Sequence, residues 1–281
     1  MSFTPVIPLS GYSGWSFLQR TLDSQKQAFT SSPENRRDEA YFRENIGKVE
    51  TAEQLVSDRR LLKVALGAFG LGDDINNRFF IQKVLQDGTT DSKALANKLA
   101  DKAYARFSAA FGFGDGGTPS TQSAGFADAV LAAYNDRQFE IAVGAQDETM
   151  RLALNAKREL AALASSTSSK DTKWFNIMGS TPLREVFETA LGLPSSFGAL
   201  DLDQQLKTLR TKTDALLGDG EISQFSDPDK MDALIRRYLV RAQAESGTYS
   251  LLTPGAGALQ LLQGATSSGS GTASSLLSLL S

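Results

Sequence analysis

The sequence predicts an all-α fold, organised as a duplicated helical-hairpin bundle with a long connecting helix. One observation is a stretch that occurs twice, as LLKVALGAFGLG over residues 61–72 and as LREVFETALGLP over residues 183–194. The copies share two leucines, a valine, an alanine and a glycine at matching positions. A second observation is that apolar residues along the rest of the chain recur at the three- and four-residue spacing of amphipathic helices. The glycine that closes each copy favours a left-handed helix end.

Residues 1–48 are predicted to form an N-terminal arm and two helices. Prolines and glycines make the segment before Trp15 irregular, and a helix then runs to about Thr30. Its stripe alternates at spacings of three and four, as in a coiled coil, with Gln25 as the one polar member. The apolar members of this stripe are Trp15, Leu18, Leu22 and Phe29. Ser32 is the predicted N-cap of the second helix, which Pro33 opens.

Residues 49–112 are predicted to be the first helical unit. Thr51 begins a short helix, and Asp58 is the N-cap of the helix that carries the first copy of the repeated stretch. Gly70 ends that helix. Two more helices are predicted over residues 74–86 and 92–111, with apolar stripes on one side of each.

Two different segments are predicted to join the units. Residues 113–123 are rich in glycine and polar residues and contain a proline, so they are predicted to form a flexible loop. Residues 124–164 contain no proline and are rich in helix-forming residues, which predicts one long connecting helix with a bend near Gly144.

Residues 165–250 are predicted to be the second helical unit. Thr181 is the predicted N-cap of the helix that carries the second copy of the repeated stretch. Pro182 follows it, and Gly192 ends that helix. Two further helices are predicted, and the last loosely matches the helix around Tyr104. Residues 251–281 form a low-complexity C-terminal tail of serine, glycine and alanine that ends in a leucine-rich segment.

The composition excludes several kinds of site. The 281-residue chain has no cysteine and no histidine, so it lacks thiolate chemistry, zinc–thiolate sites and the usual general base at neutral pH. No cofactor is expected. The net charge of −3 argues against general nucleic-acid binding.

Neither a cleaved signal peptide nor an apolar run of membrane-spanning length is expected. We therefore expect synthesis in the cytoplasm, followed by residence there or by export to the flagellum without a cleaved signal.

Three patterns invite a chemical interpretation, and each has a simpler one. The glycine-rich run over residues 112–117 lacks the strand and the lysine of a phosphate-binding loop. Asp219 and Gly220 match the centre of a calcium loop, but its outer ligand positions hold no suitable oxygen donors. Carboxylates such as Asp73, Asp74 and Asp101 could pair for hydrolase chemistry, yet they also fit helix capping.

The candidate partner-binding residues lie at the two ends of the chain. An amphipathic helix after an irregular arm is a common way to bind another helix. The hypothesis assigns Trp15, Leu18, Leu22 and Phe29 to this role, and the alternative is that the stripe packs on its own bundle. The tail adds Leu276 and Leu280, which could dock onto another surface.

The chain resembles an alphaproteobacterial family catalogued as domain of unknown function 1217, over roughly residues 10 to 250. The resemblance rests on runs such as GYSGW at residues 11–15, DRRLL at 58–62 and AFGL at 68–71. It implies an all-helical protein encoded among flagellar genes, without an established biochemical activity. It carries no functional residues over to this sequence, and the tail lies outside it.

These features lead to three functional expectations. The preferred one is a non-enzymatic helical protein of the flagellar system, exported and structural or an assembly accessory, that binds other proteins. The second is a cytoplasmic adaptor or export chaperone that uses a groove between the two units. The third and most distant is a carboxylate-based hydrolase. Neither the partner nor the oligomeric state follows from the sequence.

Overall fold

The computed structural model describes residues 3–246, and the regular secondary structure of this part of the chain is entirely helical. This confirms the predicted all-α class. The α-helices are α1 (Gly11–Thr30), α2 (Pro33–Asn45), α3 (Ala52–Ser57), α4 (Arg59–Phe69), α5 (Arg78–Asp87), α6 (Leu95–Lys98), α7 (Ala103–Phe111), α8 (Phe126–Gly144), α9 (Glu148–Ser165), α10 (Lys170–Gly179), α11 (Thr181–Leu191), α12 (Leu202–Leu217) and α13 (Pro228–Glu245). Short 3₁₀ turns precede α5, α12 and α13, among others.

The repeated stretch forms α4 and α11, and local chemistry sets the ends of both helices. Asp58 accepts hydrogen bonds from the amides of Arg60 and Leu61, so it caps α4 as predicted. Gly70 and Gly192 adopt the left-handed conformation that ends each helix. Ser180, not Thr181, is the N-cap residue of α11, because the helix begins one residue earlier than predicted.

Two hydrophobic cores lie side by side. The first is built by α2, α3, α4, α5, α7 and the N-terminal half of α8, with Phe107 and Phe111 fully buried. The second is built by α1, the C-terminal half of α8 and α9 to α13, with Trp174 and Phe187 fully buried. The N-terminal helix therefore packs in the core that is farther from it along the chain.

The predicted single helix over residues 124–164 is wrong, because the chain reverses direction after Gly144. Asp147 has extended backbone angles and caps α9 by accepting a hydrogen bond from Met150. Ion pairs join Glu140 to Arg158 and Arg137 to Glu159, so α8 and α9 run antiparallel. A glycine followed three residues later by an N-cap aspartate outweighs the helix propensity of the flanking residues.

The segment over residues 113–123, predicted to be a flexible loop, packs against the first unit instead. The Asp115 carboxylate accepts hydrogen bonds from the amides of Thr89 and Thr90, at 2.7 and 3.1 Å. Gly114 lies so close to the chain that a Cβ atom there would be 2.3 Å from the Gln86 carbonyl oxygen. Thr121 donates to the Val49 carbonyl oxygen at 2.7 Å. The glycines therefore permit close backbone packing.

Each unit contains a similar set of four helices. In the first unit, α4 contacts α2, α3 and α8, and in the second unit α11 contacts α9, α10 and α13. The sequence comparison matched α13 to the helix around Tyr104, which is α7. The packing matches it to α8, because α8 lies against α4 as α13 lies against α11. The unit boundaries predicted at 49–112 and 165–250 consequently omit α2, α8 and α9.

The motif Tyr-x-x-Arg occurs at equivalent places in α8 and α13. Tyr134 packs on α4, with its ring 2.7 Å from where a Cβ of Gly67 would lie, and Arg137 faces Gly70. In α13, Tyr238 is buried and the Arg241 guanidinium faces Gly192. Each arginine thus lies at the carboxyl end of a repeated helix, where its charge is favourable.

Candidate interaction surfaces

The N-terminal stripe is part of the second core. Trp15, Leu18 and Phe29 are 3%, 0% and 8% exposed, and Leu22 is partly buried against the same core. Phe29 packs edge-on against Phe139, with ring centroids 5.8 Å apart. The structure therefore shows the alternative interpretation, in which the stripe packs on its own bundle. The tail residues Leu276 and Leu280 lie outside the described residues.

The beginnings of α5 and α12 expose large apolar side chains. Phe79, the second residue of α5, is 89% exposed, whereas its neighbour Phe80 packs edge-on against Tyr104. Leu202, the first residue of α12, is 59% exposed, and Leu200, two residues before it, is 43% exposed. We call these places the apolar corners of the two units.

The two apolar corners occupy equivalent places in the units. A five-residue 3₁₀ turn precedes each helix, over Gly72–Asn76 and Ser195–Ala199. The next helix in each case buries its fourth residue, Ile81 in α5 and Gln205 in α12. Scattered exposed apolar residues are ordinary on protein surfaces. Both corners nevertheless lie at the start of the helix that follows such a 3₁₀ turn, with Phe79 second in α5 and Leu202 first in α12.

A network of ion pairs lies where the two units meet. Glu159 of α9 binds Arg137 of α8 at 3.0 Å and Arg158 at 2.7 Å, and Arg158 also binds Glu140 through two hydrogen bonds. Arg106 of α7 lies 3.9 Å from Glu159. Most of these side chains are largely buried, so the network fills the boundary between the units.

Buried charge sets the protonation of this network. Burial alone would raise the pKa of Glu159, but Arg158, Arg106 and Arg137 outweigh it and hold the pKa below its ordinary value of 4.5. Burial lowers the pKa of Arg137, and the charge of Arg158 lowers it further. Each arginine nevertheless stays charged at neutral pH, since an arginine pKa lies far above 7.

The two buried tyrosines have different polar neighbours. Burial raises the pKa of Tyr134, and the nearby charge of Lys63 opposes that shift. Burial also raises the pKa of Tyr238, and there the nearby charge of Glu185 adds to the shift. Lys63 and Glu185 occupy the same position in the two copies of the repeated stretch. The units therefore share a packing motif and differ in charge around it.

The carboxylates singled out from the sequence have structural partners. Asp74 accepts a 2.5 Å hydrogen bond from the Tyr104 hydroxyl, and Asp101 accepts one from the Ala103 amide at the start of α7. Asp219 accepts a hydrogen bond from the Glu221 amide at 2.8 Å, as in a turn. Among residues 3–246, no group of three or more acidic residues is arranged to hold a metal ion.

One open surface cleft, of about 620 Å³, lies at the turn between α3 and α4. Glu53, Gln54, Ser57, Asp58 and Arg59 line it. Asp58 is already engaged, because it caps α4 and accepts a 2.6 Å hydrogen bond from the Tyr41 hydroxyl. Burial would raise the pKa of Asp58, but these hydrogen bonds outweigh it and keep the pKa low.

Comparison with known proteins identifies the family. A family model described as protein of unknown function, DUF1217, matches residues 68–231, which is more than half of the chain. The chain belongs to the DUF1217 family. The region matched by the DUF1217 model begins within α4 and ends in the first turn of α13, so it leaves out α1 to α3.

A solved structure also resembles this DUF1217 protein. The crystal structure of an Agrobacterium tumefaciens protein superposes with a TM-score of 0.70 at 25% sequence identity. The alignment covers 86% of this chain and 99% of that one. A search of curated proteins finds no match. Within residues 3–246, none of the helices combines the length and the apolar character that crossing a membrane requires.

Proposed function

We propose that this DUF1217 protein is a non-enzymatic helical protein of the bacterial flagellar system that acts by binding other proteins. The resemblance of runs such as GYSGW and DRRLL to a family encoded among flagellar genes supports the flagellar part. The observation that carries the binding part is the pair of exposed apolar corners, at Phe79 and at Leu200 and Leu202.

Burial by a partner would stabilise these side chains. Removing a phenylalanine or leucine side chain from water contributes about 1.5–3 kcal/mol. The corners lie at the beginnings of α5 and α12, and each follows a 3₁₀ turn that fixes the entry of its helix. A partner with an apolar contact surface would cover these side chains at either corner. The proposed contact surface differs from the N-terminal stripe, which the second core buries.

Deletion of the gene tests the proposal. We expect a clean deletion to impair swimming in soft agar and to reduce assembled filaments or hooks seen by electron microscopy. Complementation with the wild-type gene serves as the control. Normal swimming together with normal flagella in the deletion strain would contradict the proposal.

Fractionation separates an exported protein from a cytoplasmic adaptor or export chaperone. An exported protein would occur in the culture medium or in sheared flagella of wild-type cells and stay in cells that lack flagellar export. An adaptor would stay in the cell in both strains. We favour export or assembly over a groove-binding chaperone, because α8 and the ion-pair network fill the boundary between the units.

A further inference from the structure

The N-terminal arm, defined as residues 3–10, folds back along α1. The Val6 amide donates to the Gln25 side-chain oxygen at 2.7 Å, and the Gln25 side-chain nitrogen donates to the Val6 carbonyl oxygen at 3.1 Å. Gln25 lies roughly 21 Å along α1 from Gly11, and the arm from Val6 to Gly11 spans about 17 Å when extended. The arm therefore runs antiparallel to the helix in an extended conformation.

Buried groups hold the arm. Gln25 is 7% exposed and also donates to the Thr21 hydroxyl at 2.8 Å, which fixes its side chain. Gln146, in the turn between α8 and α9, donates to the Pro5 carbonyl oxygen. Phe3 and Ile7 pack against the second core. Two side-chain amides and two apolar contacts thus form a site for an extended segment.

The site contacts the backbone and the apolar side chains of the arm. Gln25 and Gln146 bind only main-chain atoms of the arm, so these bonds do not depend on the residue that supplies them. The run from Pro5 to Pro8 has the Pro-x-x-Pro spacing of extended ligands that other proteins bind. Val6 and Leu9 point away from the core and are 54% and 55% exposed.

A single glycine forms the junction between the arm and α1. Gly11 has a φ of 62°, a left-handed conformation that other residues adopt only at a cost. A side chain there would also meet Gln243, since a Cβ atom would lie 2.3 Å from its side-chain oxygen. The direction of the arm therefore depends on this residue, and a change in its angles would carry the arm away from α1.

We propose that the groove beside Gln25 and Gln146 is a binding site for an extended Pro-x-x-Pro segment of a partner protein, and that the arm occupies it within the same chain. The partner segment would have an apolar residue just before its second proline and an aromatic residue two positions before its first. This inference rests on the proposed function and names the chemistry of one partner. A tethered arm has an effective concentration in the millimolar range, so it keeps the site closed until a better ligand competes.

A released-arm variant of the full chain tests this inference. Ile7→Asp removes an apolar anchor, and the probe is a fluorescent peptide with the sequence of residues 3–10, FTPVIPLS. We expect the peptide to bind Ile7→Asp at least tenfold more tightly than the wild type, whose own arm fills the site. Adding Gln25→Ala to Ile7→Asp should weaken peptide binding at least tenfold. Val6→Asp is the matched control, because its side chain is exposed and its arm should stay bound.

Hydrogen exchange of the Val6 amide reports whether the arm has left, and circular dichroism reports whether the fold is intact. Phe3→Ser serves as the second release variant if Ile7→Asp does not fold. A released arm without peptide binding would overturn the inference. A Val6 amide that stays protected in both release variants would also overturn it, since apolar anchors would then not hold the arm. Motility and fractionation measure the flagellar proposal separately, so failure of one can be told from failure of the other.

Discussion

The two units form the same packing arrangement from differently placed segments of the chain. In the first unit, α8 supplies the Tyr-x-x-Arg motif that packs on α4, and residues 112–125 separate α8 from the helix before it, α7. In the second unit, α13 supplies it and directly ends the unit. The copies thus share the contact between a tyrosine helix and a glycine-ended helix, whereas the connections between helices differ.

The charges around this contact differ between the units. Tyr134 lies near Lys63, and Tyr238 lies near Glu185 at the equivalent position. Both tyrosines are nevertheless 2% exposed and belong to their cores. Apolar packing therefore fixes how each tyrosine helix lies on its glycine-ended helix. The charge beside the tyrosine contributes so little that it is positive in one unit and negative in the other.

The largest expected effect comes from disrupting the network of ion pairs between the units. Glu159→Gln removes the charge that Arg137, Arg158 and Arg106 share, and leaves Arg137 without its carboxylate partner. We expect a loss of about 3 kcal/mol in the free energy of unfolding, because an unpaired buried charge is costly. Urea denaturation at pH 7 measures it.

The same variant has an expected pH dependence. Because the folded-state pKa of Glu159 lies below 4.5, its stabilising contribution is complete above that pH and is lost as the pH falls through the folded-state value. The stability difference between wild type and Glu159→Gln should therefore shrink below pH 4.5. Arg106→Ala is the matched control, since its half-exposed side chain should cost about 0.5 kcal/mol or less. Equal losses in the free energy of unfolding for Glu159→Gln and Arg106→Ala would contradict the importance of the buried part of this network.

A second pair of variants exchanges equivalent residues between the units. Gly67→Thr gives the first unit the residue that the second has at Thr189. We expect a loss of about 2 kcal/mol, because the new side chain overlaps the buried ring of Tyr134. Thr189→Gly should cost only about 0.3–0.5 kcal/mol through helix propensity, because threonine is itself a poor helix former. Thermal unfolding followed by circular dichroism compares them, and a harmless Gly67→Thr would show that Tyr134 does not depend on the space that glycine leaves at residue 67.

The smallest effect concerns the charges near the tyrosines. Burial raises the pKa of Glu185, and Glu148 raises it further, so ionisation of Glu185 destabilises the fold as the pH rises through the folded-state pKa. Glu185→Gln should therefore stabilise the protein at pH 7, by about 0.5 kcal/mol at most for this exposed group. The gain should vanish below pH 4.5. Lys63→Met should instead destabilise the protein slightly, because it removes the 2.8 Å ion pair with Asp38. Changes in stability of the same sign for Glu185→Gln and Lys63→Met would contradict the difference in charge between the units.

The sequence predicts the parts of the fold that local chemistry determines. Asp58 and Gly70 define α4 because an N-cap and a left-handed glycine act within a few residues. The reversal after Gly144 was missed, although Asp147 is an N-cap residue, because a helix-rich composition on both sides hid it. A capping search within the segment would have found it.

Other features depend on contacts far apart in sequence. The apolar stripe of α1 predicts which side of the helix is buried. It does not predict whether that side packs on the protein's own core, as it does, or on a partner protein. Phe79 and Phe80 are adjacent, so they cannot both face the core, and only the packing of Tyr104 determines which one does. The site for the arm depends on Gln25 and Gln146, which no spacing pattern connects.

The central claim is that the apolar corners bind a flagellar partner. We would replace the chromosomal gene with a Phe79→Ser, Leu202→Ser variant and measure swimming in soft agar at equal protein levels. The matched control is Gln86→Ser, an exposed polar residue on α5. The account predicts that the double variant folds normally yet swims as poorly as the deletion strain, while the control swims like the wild type. Wild-type swimming by the double variant, in a background where the deletion impairs motility, would contradict it.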